Sequence, residues 1–496
     1  MAFLVGGANS LADTGYDIDN SLRLDSASSA YLYRNQVDPT SEGVIYTISV
    51  WNKICFPNGQ NATLLAGGYP SGSGSSVEET FFMHNVTNKT IFFQNASNDS
   101  TVLGKHTASL QRDVSAWYHF MLSVDTTQGT DTNRLKVYIN NTDVSADMTG
   151  GWPAEDVIHQ LNQEFSDSSN QNTHNIGKGT RGSNYSDMYI ADFAFVDGLQ
   201  LAPSNFGETD EDSGIWKPKA PDVSAWGDNG FFLEFKNSAV GTGASDTIGA
   251  DTSGNDNHFT SSGVAVTDHT TDTPTNSFAT MNPLDAGAEA TLSEGNLKYA
   301  GGTTSGQGPA QVCAGGFGVS NGKWYWEVTK KSNEAMVGIL AADHGAAVVG
   351  SSNPFGSALS GESHSIYTSD GNARSGNAST SYGSAINDDD IIGIALDMDN
   401  GAIYYSDNGT FMNSGDPTSG ASKTGAASNF TAGGTYLLGW IADGASASSS
   451  VYEFNFGNPI VALSSGNADA NGYGDFEFAP PSGYYAPCTK NLAEFG

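Results

Sequence analysis

GKWYWEVTKK, residues 322–331, sets three aromatic side chains in a row within a chain otherwise dominated by Gly, Ser, Thr, Asn and Asp. Read with a period of two, Trp324 and Trp326 share one face of a strand, while Tyr325, Glu327 and Thr329 share the other. Two uses compete for such a stretch: a platform for a flat ligand such as a sugar, or the anchor of a core. Burying one Trp takes about 150–250 Å² out of water, which at about 25 cal/mol per Å² is an upper bound of about 4–6 kcal/mol. In a chain poor in Leu and Ile such anchors matter. Both tryptophans are therefore expected inside, and binding chemistry is expected in the polar loops.

The rest of the chain has the same character. It holds 496 residues, 38% hydrophobic and only 15% charged, with 60 glycines. Its length implies two or three domains. No window keeps a 3.6-residue apolar period, and short alternating runs separated by Gly, Asn and Asp turns imply an all-β chain. The net charge of −34, from 54 acids and 20 bases, repels phosphate backbones and anionic lipid, so nucleic acid and membrane surfaces are excluded as partners. No apolar run approaches the roughly 20 residues of a membrane helix, and the opening MAFLVGGANS lacks the basic and apolar regions of a secretory signal. Cys55, Cys313 and Cys488 are far apart and odd in number, which fits neither a disulfide framework nor a zinc site and points to synthesis in a reducing cytoplasm.

Three regions follow from the pattern. Residues 1–220 carry strand signals in SLRLDSASSAYLYR, VIYTISVWNK, TIFFQN, WYHFMLSVD, RLKVYINN and MYIADFAFVDGLQL. Residues 221–290, entered past Pro218 and Pro221, are turn-rich, with two or three strands at most, and are expected as a connector packed on a neighbouring sandwich. Residues 291–496 form a second series: NLKYAG, GKWYWEVTKK, AMVGILAA, DIIGIALDMDNGAIYYSDNG, YLLGWIAD and VYEFNFG. Its proline-broken end, FEFAPPSGYYAPCTKNLAEFG, is expected to run back along the sandwich. WYHFMLSVDTTQGTDTNRLKVYINN and IIGIALDMDNGAIYYSDNG echo each other as strand, Asp-led turn and strand.

These motifs carry a family likeness. GKWYWEV, MVGIL, the DIIGIALDMDNGAIYYSDNG hairpin and VYEFNFG stand in the order of a SPRY domain, a β-sandwich recognition module that the second half resembles. The first half is similar to concanavalin-like or laminin-G-like jelly rolls, and DTSGNDNHF in the connector resembles a segment that often opens laminin-G-like domains. Together, NSLRLDSASSAYL, AWYHFMLSVDTTQ, PSNFGETDEDSGIWKPK, DTPTNSFATMNPLD and PPSGYYAPCTKNL resemble virion proteins of tailed phages from marine settings. The fold implied is two antiparallel β-sandwiches, a concanavalin-like jelly roll and a SPRY-like domain, joined by the connector. The function implied is that of a non-enzymatic virion structural protein, made in the host cytoplasm. It would act as a tail fibre or adhesin that binds a host-surface glycan. A capsid decoration or head fibre protein is the alternative reading, and a polysaccharide depolymerase a third. Other virion proteins are the implied partners, and analogy with phage spikes implies a homo-oligomer, a trimer.

The residues offer little catalytic chemistry. The Glu-x-Asp-x-x-Glu strand of concanavalin-like glycosidases does not occur, and Glu208, Asp210, Glu211 and Asp212 lie in a Pro-flanked turn. No zinc spacing appears among the nine histidines, and His119 reads as a strand residue. No cofactor is implied beyond calcium, the one metal with a ligand set in reach: Asp251, Asn255, Asp256 and Asn257 form one oxygen-rich loop, and Asp388, Asp389 and Asp390 another. The same residues also serve as ordinary turn formers. For ligand binding, the Gly/Ser-rich stretch 356–384 is expected as a loop at one end of the SPRY-like sandwich, with Tyr367, Asp370, Arg374 and Tyr382 as side chains that stack or make directional hydrogen bonds.

Overall fold

In the computed structural model of the chain, residues 4–5, 15–55, 62–68, 79–85, 90–97, 100–107, 111, 113–163, 166–167, 170–180, 184–302, 312–343, 363–375, 378–430, 432–443 and 449–496 are described. Alternation in the sequence becomes antiparallel sheet almost throughout, as expected for an all-β chain. The chain divides into two compact units, Ala12–Thr275 and Asn276–Gly496 together with Met1–Leu11. No helix among the described residues is long and apolar enough to cross a membrane.

In Ala12–Thr275 one sheet runs Thr142–Asp143, Leu135–Ile139, Trp117–Asp125, Ile45–Ile54, Met188–Asp197, Ser21–Leu24, His269–Thr270. A second runs Thr260–Ser262, Tyr31–Asn35, Thr173–Ile176, Ala62–Gly68, Glu79–Asn85, Thr90–Ser97, Ser100–His106. Ile48, Val50, Phe120, Leu122 and Phe195 from the first sheet pack with Leu32, Leu64, Phe82 and Phe93 from the second in one buried core. The first sheet is hidden on its other face as well. There Lys53 Nζ meets Asp272 Oδ2 at 2.8 Å, both buried, Trp117 Nε1 donates to Asp272 Oδ1 at 3.0 Å, and Arg23 pairs with Asp268 at 3.0 Å. These bonds fasten residues 268–272 to the sheet.

The Met188–Asp197 strand slips register between Ala191 and Ala194. Asp192 sits in the slip at φ +43°, the bulge that lets one strand turn and pair with Phe231–Leu233 farther on. Its buried carboxylate accepts the Tyr16 hydroxyl at 2.8 Å, and burial, with the nearby charge of Glu234 adding to it, pushes its pKa up to about 7.

The second unit repeats the two-sheet plan. One sheet runs Thr291–Ser293, Lys298–Ala300, Val451–Asn455, Lys323–Ser332, Ile391–Asp397, Ala402–Asp407, Thr410–Phe411. The other runs Leu4–Val5, Phe317–Val319, Tyr436–Asp443, Ala335–Ala341, Ser363–Tyr367, Asn372–Ser375, Ala378–Thr380. Trp324 and Trp326 are both 0% exposed and lie in the core between the sheets with Val328, Ile339, Ile394 and Phe454. The two echoing segments are indeed antiparallel hairpins, Trp117–Asp125 with Leu135–Ile139 and Ile391–Asp397 with Ala402–Asp407.

The far face of the Lys323–Ser332 strand is covered by the C-terminal run. Tyr325 packs edge-on to Phe476, with centroids 5.2 Å apart, and shares a cluster with Tyr404, Tyr484 and Cys488. Tyr485 exchanges backbone hydrogen bonds with Lys323 and Tyr325 at 3.0 and 2.9 Å, adding to the sheet where Val451–Asn455 stops. Glu327, 2% exposed, accepts the N–H groups of Glu477 at 2.9 Å and Phe478 at 2.8 Å.

Two boundaries differ from those expected. The stretch 221–290 is no separate connector: Phe231–Leu233, Thr260–Ser262 and His269–Thr270 are strands of the first unit, while Met281–Ala286 pairs with Val312–Gly315 in the second. Short strands form there because they satisfy open sheet edges. Leu4–Val5, expected with the first sandwich, instead pairs with Phe317–Gly318 in the second unit.

Two outcomes follow. Trp324→Ala should cost about 3–5 kcal/mol, read as a lower denaturant midpoint at unchanged slope; a loss under about 0.5 kcal/mol would mean a surface role. Because the folded-state pKa of Asp192 is raised, its contribution to stability is full below the ordinary carboxylate value of about 3.9 and is lost as pH rises through about 7. Asp192→Asn tolerates the same φ and should gain thermal stability over the natural chain at pH 8 while matching it below about pH 4. An equal shift at both pH values rules out that titration.

Candidate functional site

The described part of the expected 356–384 loop holds three short strands. Residues 356–362 and 376–377 lie outside the described residues; Ser363–Tyr367, Asn372–Ser375 and Ala378–Thr380 form a meander at the sheet edge. Its first turn brings three of the four expected residues together. Arg374 donates to Asp370 at 2.8 Å and lies over the Tyr367 ring at 5.3 Å. Asn372 donates to the same carboxylate through its backbone N–H and its side chain, both at 2.9 Å. Gly371 makes the turn possible, at φ +68° with Ser384 O only 2.0 Å from where a Cβ would stand.

Tyr382 belongs elsewhere. It is 6% exposed, its oxygen accepts the Tyr405 N–H at 3.2 Å, and its ring packs edge-on to Tyr405. Burial pushes its phenol up to about 12. It is a core residue, because the Ala402–Asp407 strand beside it needs an acceptor for an edge N–H.

The Asp/Asn loop of 251–257 turns its groups inward on its own backbone. Asp251 accepts the N–H groups of Phe232, Ser253 and Asn257 and the Ser253 hydroxyl, all between 2.8 and 2.9 Å. Asn255 and Asn257 both donate to Gly230 O, Asn257 Oδ1 accepts from Arg34 at 2.9 Å, and the Asp256 side chain is exposed. These bonds lock the loop on Phe231–Leu233. Asp388, Asp389 and Asp390 diverge to Lys330, Lys331 and Asn408 respectively. Among the described residues no group of three His, Cys, Asp or Glu side chains could hold a metal ion.

Ser49 and His119 form a buried pair, Oγ to Nε2 2.7 Å, of the kind that activates a nucleophile. Its third partner decides otherwise. Trp216 Nε1, which can only donate, bonds Nδ1 at 3.1 Å, so the imidazole proton sits on Nε2 and is given to the serine. His119 stacks between Trp51 and Trp216, and burial lowers its pKa to about 3. The arrangement is a neutral structural wedge.

One cluster was not singled out from the sequence. In YLYRN, Tyr31 and Tyr33 point to the same outer face of the second sheet of Ala12–Thr275, half-buried, while Leu32 and Arg34 point inward. Their rings stack at 5.5 Å. Tyr185 comes within 5.9 Å of Tyr31, and Lys178 Nζ lies 4.6 Å from the Tyr31 centroid and 5.3 Å from that of Tyr185. Ser262 stands opposite Tyr31 in register, and Thr260 and Asn175 flank Tyr33. Three aromatic rings, an ammonium and a rank of hydroxyl and amide groups share one side of the sheet. The signal in the sequence was the pair of tyrosines two apart, but Tyr185 and Lys178 come from a distant segment.

The architecture is that of a β-sandwich protein, and comparison narrows one part of it. Residues 323–426 match the SPRY domain family, so the second unit holds a SPRY-like β-sandwich built around the GKWYWEV strand. No curated protein matches the chain. Among solved structures it is similar to the SPRY domain of human HERC1, 15% identical over 35% of this chain and 96% of that one, with a TM-score of 0.26. The TRIM65 PSpry domain is 12% identical over 36% and 89%, TM-score 0.25, and a heptameric SAP-like pentraxin from Limulus polyphemus is 12% identical over 36% and 77%, TM-score 0.24.

The Gly371 turn gives a direct check. Gly371→Ala should cost about 1–3 kcal/mol, more than Gly433→Ala, where φ is +99° but nothing lies within 4 Å of the added carbon. Equal losses in thermal melts would show that backbone strain alone, and not the approach to Ser384, constrains the site.

Proposed function

We propose that the chain is a virion structural protein of a tailed phage, without catalytic activity, that attaches the particle to a host-surface glycan. In this reading Ala12–Thr275 is a laminin-G/concanavalin-like jelly roll and its tyrosine face touches the sugar. The observation that carries the proposal is that face. Tyr31, Tyr33 and Tyr185 offer apolar ring surface at low conformational cost, and Thr260 and Ser262 offer hydroxyl groups for the hydroxyls of a sugar. The SPRY-like sandwich supports a recognition role, with Tyr367, Asp370 and Arg374 as a second polar surface. The buried Ser49–His119 pair, with its imidazole proton given to the serine, and the divergent carboxylates favour binding over hydrolysis. The protein would be made in the host cytoplasm and join other virion proteins as a homo-oligomer, a trimer by analogy.

Binding of the full chain to polysaccharide from host envelopes tests this. The double change Tyr31→Ala and Tyr33→Ala should weaken binding by about tenfold or more, the equivalent of about 1.4 kcal/mol, in a chain that still melts cooperatively, and the natural chain should slow phage adsorption as a competitor. If the natural chain neither binds nor competes, the attachment role fails. Release of reducing ends from the polysaccharide would favour the depolymerase, and a head position in a particle map would favour capsid decoration.

A further inference from the structure

We infer that the outer face of the Lys323–Ser332 sheet carries a receptor groove for a basic side chain of a partner protein, an arginine or lysine on an exposed segment, with Glu453 as its counter-ion. The inference is independent of the glycan reading.

The groove has a volume of about 260 Å³. Outward residues of two adjacent strands, Glu327 and Thr329 on one and Glu453 and Asn455 on the other, line it, and Ile460 and Leu463 stand at its side. That volume is below the range of about 300–1,000 Å³ that takes a whole small molecule and suits one side chain.

Four carboxylates border the groove, each with a protein partner, but only one of them keeps a buried oxygen without a hydrogen-bond donor. Glu327 holds the backbone of Glu477 and Phe478. Asp389 pairs with Lys331. Glu477 accepts the Ser464 N–H at 2.8 Å and the Ser465 hydroxyl at 3.3 Å. Glu453 differs. It is 8% exposed, its Oε1 lies 3.5 Å from Lys298 Nζ, and its buried Oε2 has no hydrogen-bond partner. A buried carboxylate oxygen without a donor leaves a demand that an incoming N–H meets.

Chemistry selects the occupant. Convergent metal ligands do not occur among the described residues. An alkyl stem ending in a cation fits apolar side wall and carboxylate together. A basic segment of another protein is drawn in by the field of a chain whose net charge is −34.

The test uses the full chain and a blocked Gly-Ser-Arg-Ser-Gly peptide, with the citrulline peptide of equal shape as its neutral twin, measured by calorimetry at low salt. The arginine peptide should bind about tenfold or more tighter than the citrulline one, and added salt should erode the difference. Glu453→Gln should lose that preference. Lys331→Ala, which removes a competing cation from the groove and frees Asp389, should tighten binding, so the proposal stays testable even if the Glu453 variant folds poorly. Equal binding of the two peptides, or weaker binding by Lys331→Ala, overturns it.

Discussion

Both faces of one strand, Lys323–Ser332, must be removed from water, and much of the second unit is arranged to meet that demand. An antiparallel sheet with one wet face alternates apolar with polar residues. Here the inward positions hold Trp324, Trp326 and Val328, and the outward ones hold Tyr325 and Glu327 beneath the C-terminal run. An irregular segment laid on a sheet brings backbone N–H groups that the sheet cannot satisfy. Glu327 answers this with a carboxylate that accepts two of them and the Tyr325 hydroxyl at 3.1 Å. Burial raises its pKa, opposed by those same donors, which meet the backbone polarity that apolar packing alone would leave unmet.

Ala12–Thr275 solves the same problem with ion pairs. Lys53, Arg23 and Trp117 on the outer side of its first sheet reach Asp272 and Asp268 in a covering segment. Removing one partner of such a pair strands a buried charge, which makes it a strong fastening even where its net contribution to stability is small. A chain only 38% hydrophobic can thus cover outer sheet faces with its own irregular segments. Polar residues there act as fasteners.

Period-two alternation made the strong strands, both hairpins and the burial of Trp324 and Trp326 legible, because each depends on a local pattern. The short strands were not. Thr260–Ser262 is all hydroxyl residues, and it is a strand because Tyr31–Asn35 offers it an open edge. Ser363–Tyr367 and Asn372–Ser375 looked like loop for a similar reason: Ile366 and Ala373 are their only apolar buried positions. Of the candidate site, Tyr367, Asp370 and Arg374 could be read because a tight turn keeps them close in sequence. Tyr382 could not, since its burial is decided by Tyr405 on another strand. The tyrosine face was half legible: spacing aligns Tyr31 with Tyr33, but nothing local reveals that Lys178 and Tyr185 close over them.

The two N–H groups held by Glu327 come from residues 150 and 151 positions later in the chain. Because translation delivers residues in order, the sheet built on GKWYWEV leaves the ribosome with an aromatic and a carboxylate bare on one side, and stays so until residues 476–488 emerge. Contacts of such long sequence separation are slow to form, and uncovered sheet is the kind of surface that associates with neighbours. In the second unit this covering is therefore completed only late in synthesis, when the carboxylate of Glu327 at last meets its two N–H partners.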